Sequence, residues 1–259
     1  MEIDKLFDLK GKTAIVTGGG DGIGKACCEI LADAGACIVV SDLNLNKAQA
    51  VADQIKRRAG KAIAVECNVL KDENLVNLVN QTIEEFGTVN ILVNNAGGGG
   101  GGRENPFKTD REYFEKIFNF NVFSIWRLCQ LAVPCMAKSG YGSIVNITSM
   151  SSINKSPNMS AYAASKAALN HMAANLAYDF GPMGVRINNV GPGATVTQAL
   201  QTILTPEIEQ RMLQHTPIQR LGKVSDIAGA VLYFAAPVSE WVSGQVLFVN
   251  GGGIQTLDG

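Results

Sequence analysis

Tyr162 and Lys166 stand at positions i and i+4 of the run Ala161-Tyr162-Ala163-Ala164-Ser165-Lys166. On a helix their side chains share one face. A free phenol ionises near pH ~10 and is a poor base at neutrality. An ammonium beside it favours the phenolate and lowers that value, which is the tuning that moving a proton to or from a hydroxyl group requires. Near the N-terminus, Thr17-Gly18-Gly19-Gly20-Asp21-Gly22-Ile23-Gly24 joins an apolar run to a helical pattern. Glycines in such a turn let backbone approach a pyrophosphate, and the helix behind it offers N–H groups and partial positive charge. Asp42 lies 18 residues beyond Gly24, at the end of the second apolar run. A carboxylate there can accept hydrogen bonds from adenosine ribose hydroxyls. The same charge opposes a 2′-phosphate, Asp21 adds another, and neither Ser41 nor Leu43 is a cation, so NAD is expected over NADP.

These residues need a frame, and short apolar runs alternate with amphipathic ones throughout the chain. Strands are expected at 13–17, 37–40, 62–66, 89–93, 143–148, 185–190 and 245–249. Helices are expected at 22–34, 46–58, 73–86, 111–137 (unbroken) and 161–180, with shorter ones near 206–214 and 225–234. Strands apolar on both faces and separated by crossover helices give a parallel sheet covered on both sides. The expectation is an α/β fold, a Rossmann-type doubly wound sheet of about seven strands. No Pro/Ser-rich linker, charge block or repeat divides the 259 residues, so one domain is expected over 1–259.

Composition removes several classes of function. The net charge is −1 and the Lys and Arg residues are scattered rather than clustered, which is no footprint for nucleic acid. Cys27, Cys28, Cys37, Cys67, Cys129 and Cys135 form no CxxC pair and have no histidine at zinc-finger spacing, so free buried thiols in a reducing cytoplasm are expected and no metal. The start Met1-Glu2-Ile3-Asp4-Lys5 does not read as a secretory signal, and with no uninterrupted run of about 18 apolar residues no membrane span is expected. His171, one turn past Lys166, reads as packed, and His215 as the start of a turn, so neither is assigned chemistry.

Taken in order, Thr17-Gly18, Gly22-Ile23-Gly24, Asn94-Asn95-Ala96-Gly97, Asn121, Ser149, Tyr162 with Lys166, and Pro192-Gly193 resemble the short-chain dehydrogenase/reductase family over nearly the whole chain. The resemblance implies that Tyr162 is the general acid–base and that Ser149 hydrogen-bonds the reacting oxygen. It implies that Lys166 holds the nicotinamide ribose and lowers the tyrosine pKa, and that Asn121 sits on a helix supporting a water relay. Gly18, Ile23, Asp42, Asn95, Tyr162, Lys166, Thr197 and Val69 would contact NAD. They would do so beside the turn residues Asp21, Gly22 and Gly24 and the Gly97 that ends the Asn-Asn-Ala-Gly motif. At Asn68 the family usually has Asp, and Asn can still accept from the adenine amine and donate at its edge.

Substrate is less directly readable. Gly99 lies in the run Gly97–Gly102, which would let a rigid ligand approach backbone, and Asn154 could bond a polar substrate group alongside Ser149 and Tyr162. A flap near 194–216 would close over it. Three stretches resemble the branch of the family acting on the 7α-hydroxyl of bile acids: 95–100, Leu204 to Gln210, and Leu213 to Ile218. That implies a bile-acid or steroid substrate, and the family implies a homotetramer joined through helices at 111–137 and 161–180. Rival readings are a 3-oxoacyl-carrier-protein reductase, a small-polyol or sugar dehydrogenase, and a non-catalytic NAD-sensing regulator. Asp42 weighs against the first, and a retained proton relay against the last.

Overall fold

The computed structural model describes residues 3–99, 104–155, 157–201, 204–214 and 216–253. A short helix α1 (Ile3–Leu6) precedes β1 (Thr13–Thr17), α2 (Gly22–Asp33), β2 (Cys37–Asp42), α3 (Leu45–Arg57), β3 (Ala62–Glu66), α4 (Asp72–Phe86) and β4 (Ile91–Asn94). Then come α5 (Arg111–Phe118), α6 (Ser124–Ser139), β5 (Gly142–Ile147), α7 (Ser160–Phe180), β6 (Val185–Pro192), β7 (Thr195–Val196), α8 (Gln198–Gln201), α9 (Pro206–Leu213), β8 (Gly222–Lys223), α10 (Val224–Ala235) and β9 (Val246–Val249).

Seven strands form one parallel sheet in the order β3-β2-β1-β4-β5-β6-β9. Alternate residues of each inner strand face opposite layers. Ala14, Val16, Ile38, Val40, Ile91 and Val93 pack with α2, α3 and α10, while Ile15, Val39 and Leu92 pack with α4, α6 and α7. A strand buried on both faces is apolar at most positions, which is why these runs carry no regular polar alternation. Chain order reverses between β1 and β4, so their carboxyl ends open a crevice of the kind that receives ligands in such sheets.

Three details depart from the sequence expectations. The helix expected unbroken at 111–137 contains a π-helical turn, Asn119–Phe123, in which the Ser124 N–H reaches back to the Asn119 carbonyl. One extra residue in a helix leaves no trace in hydrophobic periodicity, and such turns gather at functional sites. The fourth strand starts at Ile91, and Asn90 before it meets Thr13 twice, its N–H donating to the Thr13 carbonyl and its Oδ1 accepting from the Thr13 N–H, both at 3.0 Å. The region expected to be a flap is closed at its base by an unforeseen pair, β7 with β8, two residues each and too short for any periodic signal.

Among the described residues, the α5–α6 rod, 29 residues with its π-helical turn, is long and apolar enough by length and composition to cross a membrane, although half of its apolar window is buried inside the protein. All six cysteines are free, four buried and two half-buried.

Candidate active site

At the end of β1 the chain enters the glycine turn. A Cβ on Gly24 would lie 2.1 Å from the Gly18 carbonyl oxygen, so the turn closes only around bare backbone. Asn95, just after β4, locks it: its Nδ2 donates to the Thr17 and Gly18 carbonyls, both at 3.0 Å. The Thr17 hydroxyl accepts from the N–H groups of Asn95 and Ala96, both at 3.1 Å. Asn95 thus shapes the turn itself, with its amide committed to protein rather than offered outward.

Asp42 accepts from the Gly20 N–H at 3.0 Å and the Asn44 N–H at 2.9 Å. Asp21 caps α2 by accepting from the Gly22 N–H at 2.7 Å and pairs with Lys47 at 3.0 Å; that pairing holds its carboxyl below the usual range. Lys47 lies past Ser41 and Leu43, the two positions weighed in the sequence, and a helical turn returns it to Asp21. Lys25 acts on Asp21 as well, so the Asp21 charge is largely answered by ammonium groups, while Asp42 is held by backbone N–H groups. Gly22 faces Thr197 on the far side: a Cβ there would lie 3.8 Å from the threonine methyl, and a cleft of about 440 Å³ runs between the turn and α8. Ile23 packs its side chain into the core. Asn68 spends its Oδ1 on the Leu70 N–H at 3.0 Å, a local Asx turn that draws on the acceptor the sequence reading offered to adenine; Val69 is buried beside it. The bare turn, the helix opening on the crevice and the acceptor at Asp42 fit a dinucleotide.

A second group converges where β4, β5 and α7 meet. Lys166 is buried and donates to the Ile147 carbonyl at 2.8 Å, with its nitrogen 5.8 Å from the centre of the Tyr162 ring. Burial brings its pKa down to about 8. Burial also pushes the half-buried Tyr162 phenol up, opposed by a hydrogen bond with the Ser149 hydroxyl. The Lys166 ammonium is turned to the Ile147 carbonyl, and burial rather than that charge sets the direction of the phenol's shift. Ser149 opens a 3₁₀ turn over Met150–Ser152, its Oγ accepting from the Ser151 N–H at 3.1 Å.

Asn121 sits on the π-helical turn, fully buried. Its Oδ1 accepts from the Gly98 N–H at 3.0 Å, while its Nδ2 donates to the Gly98 carbonyl at 2.9 Å and to the Ser165 hydroxyl at 3.0 Å. A Cβ on Gly97 would fall 2.8 Å from Asn121 Oδ1 and 3.2 Å from Lys166 Nζ, so Gly97, Asn121 and Lys166 touch around one point. Gly99 has φ of +110° and would drive a Cβ within 2.4 Å of Ile117, which fixes it as glycine for packing as much as for ligand approach. Residues 100–103 and His215 lie outside the described residues. Asn154 is half-buried on the loop between Ser149 and Tyr162. His171, expected to be packed, is exposed on α7.

A phenol, a serine hydroxyl, a buried ammonium and a buried amide, set beside a dinucleotide-shaped turn, can exchange a proton with a substrate oxygen while a hydride moves at the neighbouring carbon. A family model described as enoyl-(acyl carrier protein) reductase matches residues 18–253. The chain is 48% identical over 250 residues to the 7α-hydroxysteroid dehydrogenase of Escherichia coli K12, covering 96% of this chain and 97% of that one. The chain belongs to the short-chain dehydrogenase/reductase family. The 7α-hydroxysteroid dehydrogenase of Clostridium sardiniense is 37% identical over 245 residues, 94% of each chain. A solved 7α-hydroxysteroid dehydrogenase complexed with NADH and 7-oxo glycochenodeoxycholic acid superposes with a TM-score of 0.94 at 47% identity, covering 100% of both chains.

This family member also contains a feature its sequence had not disclosed. Asn94 Nδ2 donates to Asn146 Oδ1 at 2.8 Å, Asn146 Nδ2 to Asn189 Oδ1 at 2.9 Å, and Asn189 Nδ2 to Asn170 Oδ1 at 3.4 Å. Asn170 Nδ2 then meets the Ser152 hydroxyl at 2.8 Å, which donates to the Ser149 carbonyl at 2.6 Å. A file of buried amides crosses three strands and ends under Ser149. Its signal in the sequence is an asparagine late in each of three consecutive strands of the sheet.

Proposed function

We propose that this chain is an NAD-dependent oxidoreductase that interconverts a secondary alcohol and a ketone, with the 7α-hydroxyl of bile acids as substrate. The observation that carries the reaction is the convergence of Ser149, Tyr162, Lys166 and Asn121 beside the glycine turn; the names of the relatives supply the substrate. NAD, when bound, takes the hydride from the substrate carbon or returns it. In oxidation the Tyr162 phenolate takes the hydroxyl proton, and in reduction the Tyr162 phenol gives one to the ketone oxygen. Ser149 holds that oxygen as its charge changes. Lys166 and the Asn121 amide hold the ribose and the proton path. The Asp42 carboxylate at the end of the second strand supports NAD over its 2′-phosphorylated form. Residues 194–216 act as a flap over the substrate within one domain. Residues Phe114, Phe123 and Trp126, exposed on α5 and α6 and the turn between them, support a homotetramer, and six free thiols support a cytoplasmic setting.

The test is NAD reduction with cholate, chenodeoxycholate and their 7β- and 12α-hydroxyl counterparts, on the natural chain and Tyr162→Phe. Turnover is expected with 7α-hydroxyls alone, and to fall by about 10²–10⁴-fold in the variant while NADH still binds. NADH binding without turnover of any alcohol would favour a sensor, and near-normal turnover in the variant would remove Tyr162 from the chemistry.

A further inference from the structure

The first turn of α7 carries no acidic residue, and its N-cap position, Met159, makes no side-chain cap bond. Yet this turn bears Tyr162, whose position decides whether a proton can be exchanged. The missing cap comes from the far side of the glycine run. Glu104, only 6% exposed, accepts from the Ala161 N–H at 2.7 Å through one carboxylate oxygen and from the Tyr162 N–H at 3.2 Å through the other. Its own N–H donates to the Asn158 carbonyl at 3.1 Å, at a residue held with φ of +57°. A carboxylate is buried at this cost only where charged hydrogen bonds and favourable local charge offset it; two helix N–H groups and the positive end of a 21-residue helix supply both.

Gly98 and Glu104 are thus each held, and both attachments lead to the same turn of α7. Asn121 grips Gly98 and reaches Ser165, whose hydroxyl donates to the Tyr162 carbonyl at 2.7 Å; Glu104 grips the Tyr162 N–H. We infer that Glu104 is a positioning residue for the reaction: its carboxylate sets the start of α7 so that the Tyr162 phenol meets Ser149. The inference rests on Tyr162 as the acid–base of the proposed function. A displacement of about 1 Å at a reacting group costs about 10²-fold in rate.

The experiment compares the natural chain, Glu104→Ala, Glu104→Gln and Tyr162→Phe in bile-acid oxidation, with kcat expressed per NADH-binding site and melting temperature measured in parallel. The alanine change leaves both N–H groups without an acceptor, and kcat per site is expected to fall about 10- to 100-fold. KM should change less. The glutamine change keeps one acceptor and turns its NH2 toward the other N–H, so it should fall between the two. A lowered melting temperature with kcat per site unchanged makes Glu104 a cap only and overturns the inference, as does an effect confined to KM. If the alanine variant fails to bind NADH, the glutamine variant decides by the same criterion; if neither binds, Glu104 serves folding and the inference falls. Unchanged turnover in Tyr162→Phe would instead sink the assigned chemistry, which separates the two failures.

Discussion

Lys166 illustrates what a working site demands of one residue. It is a cation with 4% exposure, hydrogen-bonded to a neutral carbonyl and brought by burial from 10.5 to about 8. Between those two values the unfolded chain holds a proton that the folded chain has released, so the stability conferred at this position rises with pH across that window and is lower below it. Lys166→Met removes the titration. The stability of the variant relative to the natural chain is expected to fall by about 2 kcal/mol from about pH 7 to about pH 10, read by urea unfolding at each pH. A difference that stays constant across the range would mean that the ammonium is not desolvated. Sequence spacing alone placed Tyr162 and Lys166 on one face, because helix geometry follows from local chain. It could not reveal that the ammonium turns to the Ile147 carbonyl, nor that Lys47 returns to the Asp21 carboxylate, since both depend on contacts between separate elements.

Elements differ in how openly the chain declares them. The strands of the main sheet announce themselves, because burial on two faces selects apolar residues at most positions. The π-helical turn under Asn121 and the two-residue pair of β7 with β8 do not, for neither changes a period long enough to detect. The asparagine file sits between these cases. Asn94 pairs in register with Asn146, and Asn146 with Asn189, so the three amides line up only once the order β4-β5-β6 is fixed. Buried amides stabilise when every member is satisfied and cost dearly when one is removed. Asn189→Ala is expected to cost about 1–3 kcal/mol in chemical denaturation, through the Asn146 donor it orphans. Because the file ends beneath the Ser149 carbonyl, kcat should decline as well. Unchanged stability would show that water replaces the amide without loss.

At the scale of the whole molecule, the crevice between β1 and β4 brings together a turn from the N-terminal half and a proton-handling group from the C-terminal half, and α5–α6 passes beside both. That rod carries Asn121 inward, while outward it shows Phe114, stacked on Phe118 with centroids 5.3 Å apart, then Phe123 and Trp126, which are 54% and 45% exposed. A helix apolar on its inner face is core; one apolar on its outer face as well needs a second covering, which accounts for a composition resembling a membrane span in a rod half buried against its own sheet. Copies of the chain meeting through this face would supply that covering, and each large side chain buried contributes about 1.5–3 kcal/mol. Phe123→Asp with Trp126→Glu places four or more like charges at such a seam. In sedimentation velocity the natural chain is expected near four times 27.5 kDa and the double variant at a smaller assembly. A natural chain sedimenting as a monomer, or a variant sedimenting like it, would leave the outer face of α5–α6 without the partner argued for it, and would return Asn121's helix to being held by the sheet alone.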